Sequence, residues 1–195
     1  VCSSDLVGNP DSLQLVKKII ESENEPVIVV VSALDGITDR LLLAADFALN
    51  SNSDYKSVLD EMVDRHRNVI EKTITSIEAK EVTTIKSEQL FEELHNILRG
   101  VYLIGDLSQK TSDKIVSYGE RLSSLIVSKM IVGSQLYDST KFIKTNKQFN
   151  SHIPDLNRSN ELIKKTFSEM PPPSVAIVPG FISSSIEEND ITNIG

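Results

Sequence analysis

The chain has 195 residues, a net charge of −8, 39% hydrophobic content and one cysteine, Cys2. That length suits one domain or a large part of one, with no need for a disulfide or metal staple. An acidic chain with no block of Lys or Arg argues against nucleic-acid and anionic-membrane binding, and no apolar run approaches the ~20 residues needed to span a bilayer. The lone cysteine excludes a disulfide framework and a Cys-based zinc site, and it points to a reducing, cytoplasmic setting. The first residue is not methionine, the opening does not look like a signal peptide, and the sequence stops at Gly195 within an apparent hairpin or loop. A fragment at both ends is the expectation.

In chain order, residues 1–10 read as irregular. Leu13, Val16, Ile19 and Ile20 then recur at helical spacing behind Asp11 or Ser12, giving a helix to about Glu21. Four valines and one isoleucine follow at 27–31. A short β-branched run of this kind predicts a strand buried on both faces, as in parallel sheets. It ends at Ser32, turns through Gly36 and opens a helix over 39–49 behind Thr38. Strand, loop, helix is the arrangement in which open α/β sheets bind ligands, because free N–H groups and the helix dipole favour an anion there. A simple helix cap at Thr38 explains the same residues.

A polar breaker at 50–54 precedes a helical region over 55–79 and another over 86–104, read as an antiparallel pair. His66 and His95 fall on these helices without a His-Glu-x-x-His pattern, so they read as surface or boundary residues. The helix over 111–133 starts at Ser112-Asp113 and stops at Gly133. Inside it, Gly119 costs about 1 kcal/mol relative to alanine, which points to a kink or a close approach by another segment. Glu120 follows among apolar neighbours. A buried carboxylate needs a partner, and two fit equally: Arg121 beside it, or a ligand ammonium. Short extended pieces are expected at 135–138 and 141–145, polar loop over 146–155, a helix over 157–170 and a buried strand over 175–178. The last segment is Phe181-Ile182, a hairpin-like polar turn, and 191–195. No GxGxxG, GxxxxGK[ST] or GxSxG pattern occurs.

Four segments carry a resemblance: VVVSALDGITD at 29–39, SYGERLSS at 117–124, DSTKFIKT at 138–145 and PGFISSSIEENDITNIG at 179–195. Their content and order resemble the aspartokinases of the amino acid kinase superfamily, above all the kinase part of the bifunctional aspartokinase–homoserine dehydrogenases, from Val7 onward. The resemblance implies an α/β fold, a three-layer α/β/α sandwich with a mostly parallel sheet. It implies ATP- and Mg2+-dependent phosphorylation of the side-chain carboxylate of L-aspartate, the first step towards lysine, threonine and methionine, in a homo-oligomeric full-length protein. Carried over by position, Ser32 and Thr38 are the hydroxyls that place aspartate, Glu120 takes its α-ammonium, and Gly180 and Phe181 wall the pocket. Asp138 and Thr145 are read as structural.

The departures carry expectations too. The family's Lys-Phe-Gly-Gly-Thr-Ser is VCSSDL at 1–6, which reads as foreign or misassembled, so no catalytic or metal-binding residue is assigned. The family's Arg-Gly-Gly-Ser-Asp would follow Gly195. The 195 residues alone are therefore expected to be inactive. Asp35 replaces a common small residue and Thr140 a common arginine, and either weakens anion binding in this reading. The alternatives are a related kinase acting on glutamate and a non-catalytic amino-acid-binding α/β module.

Overall fold

The computed structural model describes residues 10–148, 151–168, 170–171 and 174–194. The segment 1–6 singled out above lies outside them. The elements are α1 (Pro10–Glu21), β1 (Val27–Val31), α2 (Ile37–Leu49), α3 (Tyr55–Thr73), α4 (Ile77–Ile104) and α5 (Gln109–Met130). After these come β2 (Gln135–Leu136), a 3-10 turn (Ser139–Lys141), β3 (Lys144–Gln148), β4 (Ser151–Pro154), α6 (Leu156–Phe167), β5 (Val175–Pro179), β6 (Ile182–Ser185) and β7 (Ile191–Asn193).

Two small sheets form. In the first, β5 lies between β1 and β2, all parallel, with Val29 opposite Ile177 and Val31 opposite Pro179. In the second, β3 pairs parallel with β6 and antiparallel with β4, and β7 closes the other edge. Helices α2 to α5 build the core with one face of the parallel sheet. Val31 and Ile177 are buried in it, with Val29 and Val175 packed alongside. The α/β architecture is the expected one.

Several expectations change in detail. The strand β1 is buried on one face only: Ile28 is 46% and Val30 65% exposed. The continuous valine run therefore reflects β propensity as much as burial. The break between the long helices falls at Ile74–Ser76, not near residue 80. Ile74 is extended, and Ser76 caps α4 by accepting the Ala79 N–H at 3.3 Å. Likewise α5 starts at Gln109 behind Ser108, three residues before Ser112 of the Ser112-Asp113 signal. Asp155 caps α6, which ends at Phe167. The expected polar loop over 146–155 is largely the β3–β4 hairpin. Its strands are polar and carry no alternating apolar face, so nothing in the pattern marked them.

His66 corrects the surface reading most plainly, whereas His95 is half-buried as a boundary residue should be. His66 is fully buried against Phe91, at 5.2 Å and edge-on. Its Nδ1 donates to the Met62 carbonyl at 2.7 Å, because a carbonyl can only accept. Nε2 has no partner among the described residues. Burial, helped by the neighbouring Arg65, pushes the imidazole down to about 4. The unfolded chain takes up this proton below about pH 6.5 and the folded chain resists until about 4. Stability is therefore complete above that window and falls as the pH drops through it, by about 3 kcal/mol in all. Urea titrations at pH 7.5 and pH 4.5 should show this loss, and His66→Phe should abolish most of it.

Candidate functional site

The candidate site forms where β1 and β5 end and α5 presses on the loop after β1. Gly180 closes β5 by donating its N–H to the Val31 carbonyl at 2.8 Å. A Cβ at Gly180 would lie 3.0 Å from Val30 Cγ1 and 3.3 Å from the Val31 oxygen, so the close pairing favours glycine. Phe181 follows at φ +60, 38% exposed. A bulky residue in the left-handed region costs about 1–2 kcal/mol and is found where surrounding structure enforces it.

Helix α5 meets the Ser32–Ala33 segment along one stripe, and three contacts define it. A Cβ at Gly119 would come within 2.7 Å of Ala33 Cβ, which confirms the close approach read from the mid-helix glycine. Glu120 Oε1 accepts the Ala33 N–H at 3.3 Å. Ser123 Oγ donates to the Ser32 carbonyl at 2.7 Å. Glu120 and Ser123 are three residues apart and share a helix face. That spacing within SYGERLSS is the sequence signal for Ser123, to which no motif assigns a role.

Glu120 is 4% exposed, and its Oε2 has no partner among the described residues. Burial pushes the carboxyl up to about 7, against the pull of the Ala33 N–H. Arg121 is not its partner. The guanidinium lies over the Tyr118 ring, 4.4 Å from its centroid, and bonds Glu93 at 3.4 Å. Tyr118 OH donates to the same Glu93 oxygen at 3.0 Å. Of the two partners the sequence left open, the internal one is engaged elsewhere.

Thr38 lies where the same loop enters α2. It sits in the first turn of α2, one residue past Ile37, whose N–H donates to the Leu34 carbonyl. The cap of α2 is Gly36 at φ +68, not Thr38, and glycine has no side chain with which to cap. The turn needs a left-handed residue, so glycine precedes the helix and Thr38 falls inside it. A helix N-terminus is a favourable place for an anion. The loop thus carries anion-binding potential at one end, and α5 supplies a carboxylate poised between charge states at the other.

The two departures noted in the sequence fall on different segments. Asp35 is exposed on the loop itself. Thr140 is in the 3-10 turn, where its hydroxyl donates to Asp138 at 2.6 Å and its carbonyl accepts from Ser184 and Lys144. Asp138 and Thr145 are structural as read: Asp138 caps that turn, and Thr145 shares a buried hydroxyl contact of 2.9 Å with Thr192. No group of three His, Cys, Asp or Glu side chains able to hold a metal ion gathers among the described residues.

A bifunctional chloroplastic aspartokinase/homoserine dehydrogenase 1 of Zea mays is 28% identical over 177 residues, covering 87% of this chain and 19% of the relative. A chloroplastic aspartokinase 1 of Arabidopsis thaliana is 26% identical over 184 residues, 91% of this chain and 32% of the relative. Its relatives are aspartokinases. The fold agrees: aspartokinase III of E. coli, solved with lysine and aspartate and with aspartate and ADP, superposes at a TM-score of 0.81 with 24% identity, over 97% of this chain and 41% of that one. No family model matches the chain. The chain spans about a fifth of the length of the bifunctional aspartokinase relatives and about a third of the monofunctional one.

Proposed function

We propose that this chain is the aspartate-binding part of an aspartokinase, within a protein that phosphorylates the side-chain carboxylate of L-aspartate. The observation that carries the reading is Glu120: buried, one oxygen held by the loop that leads into α2, the other without a partner among the described residues. Such a carboxylate is stabilised as an anion by an ammonium group. The hydroxyls of Ser32 and Thr38 and the first-turn N–H groups of α2 suit the carboxylate end of the same small zwitterion. Gly180 and Phe181 close one side. These groups orient the substrate, and phosphoryl transfer depends chiefly on such alignment.

ATP and Mg2+ belong to the proposal by resemblance alone. Among the described residues no group of three His, Cys, Asp or Glu side chains gathers for a metal ion. Placement in lysine and threonine synthesis and self-association of the full-length protein also come from the resemblance, and a cytoplasmic setting comes from the lone cysteine; the plant relatives are named as chloroplastic. No helix among the described residues is long and apolar enough to cross a membrane.

The test is hydroxylamine trapping of the acyl phosphate made from ATP by the full-length protein containing this segment, across L-aspartate, L-glutamate and N-acetyl-L-aspartate. Turnover with aspartate only is expected, because a free α-ammonium is required by Glu120. Preference for glutamate or for the acylated substrate would overturn the assignment, and binding of aspartate without turnover would leave a non-catalytic module.

A further inference from the structure

A cleft of about 700 Å3 lies between α4, α5 and the strand ends, and none of the five candidate substrate residues lines it. We infer that this cleft binds a small amphipathic anion, a molecule with an acidic group on an apolar body.

Three observations support this. The first is shape and floor: the volume is that of a small-molecule pocket, and Leu90, Leu125, Leu136 and Ile182 supply apolar lining. The second is charge. Lys86 on α4 and Lys114 and Arg121 on α5 converge on the cleft, in a chain whose net charge is −8. Lys114, Arg121 and Leu125 share one stripe of α5, at spacings of seven and four. The third is availability. The acids of the cleft are already engaged: Glu93 accepts from Tyr118 and Arg121, and Asp138 accepts from the Thr140 N–H and hydroxyl. Lys86 and Lys114 make no ion pair among the described residues. Two unpaired ammonium groups at the rim of an apolar floor favour an acid whose body the floor covers.

The test uses two dyes on the 195-residue chain: 1-anilinonaphthalene-8-sulfonate, which is anionic, and N-phenyl-1-naphthylamine, its uncharged counterpart. The sulfonate should saturate one site, perturb the methyl NMR signals of Leu125, Leu136 and Ile182, and bind at least about fivefold more tightly than the neutral dye. Lys86→Gln with Lys114→Gln should weaken it by at least about fivefold, whereas Lys17→Gln with Lys18→Gln on α1 should change it by less than about twofold. Both cleft lysines are exposed, and circular dichroism checks that the variants fold. Equal affinity for both dyes, shifts confined to the exposed Leu15 and Ile19, or no effect of the cleft substitutions would overturn the inference.

Discussion

Replacing Glu120 by glutamine in the full-length protein raises the Michaelis constant for aspartate by about 30-fold or more and leaves that for ATP within about twofold. Removing one partner of a desolvated charge pair costs about 2–5 kcal/mol, and each 1.4 kcal/mol is tenfold. Glutamine is the informative change, because its amide oxygen still accepts the Ala33 N–H that Glu120 Oε1 holds at 3.3 Å. The loop stays in place and only the charge is lost. Alanine removes both, so it should add a loss of stability through the orphaned N–H, about 1–3 kcal/mol. Steady-state kinetics of the two variants beside their unfolding curves separate the roles. Equal losses for aspartate and ATP with glutamine would show that Glu120 holds the fold rather than the substrate.

The second large effect is a pair of glycine substitutions with opposite signs. In a helix, Gly→Ala gains about 1 kcal/mol from backbone entropy alone. Gly100 of α4 has no atom within 4 Å of its would-be Cβ, so Gly100→Ala should collect that gain. Gly119 of α5 cannot. Its Cβ would meet Ala33 Cβ at 2.7 Å and Leu41 Cδ1 at 3.4 Å. The leucine tip can turn away, but Ala33 Cβ is fixed to the backbone, so the helix and the loop must part. Overpacking costs about 1–3 kcal/mol, and a clash with a backbone-fixed Cβ falls in the upper part of that range, so it exceeds the propensity gain by about 1–2 kcal/mol. Thermal unfolding of the 195-residue chain should show Gly119→Ala melting about 3–6 °C lower and Gly100→Ala about 2–4 °C higher. The separation also moves Ala33 off Glu120, so aspartate binding should suffer with Gly119→Ala alone. A Gly119→Ala melting point at or above the parent would mean that α5 does not press on the loop.

Much of the site was written in local chemistry. A β-branched run ending at Ser32, a glycine turn and an apolar helix placed the loop. A glycine and a carboxylate in mid-helix, among apolar neighbours, announced a close contact and a buried charge. The contact is with Ala33, which is 86 residues away in the chain, and no local pattern names such a partner. The same limit hid the role of Ser123, although its spacing from Glu120 put both on one face. Burial was the less legible property. The helical stripe that carries His66 does not tell a core position from an edge one, because neighbouring helices decide which turns are covered. The valines of β1 look alike in sequence, yet Val30 is 65% exposed and Val31 4%. The polar hairpin of β3 and β4 is held by backbone bonds and by the Thr145–Thr192 contact, and neither leaves a hydrophobic rhythm.

Titration of the Glu120 carboxyl, followed by 13C NMR in the full-length protein with and without L-aspartate, tests the central assignment most directly. Without aspartate the carboxyl titrates at about 7, because burial favours the neutral form. An ammonium at hydrogen-bonding distance favours the anion, so saturating aspartate should lower the midpoint by at least about one unit. An unmoved or higher midpoint in the aspartate-bound protein would contradict the account, since the substrate's charged nitrogen would then lie elsewhere.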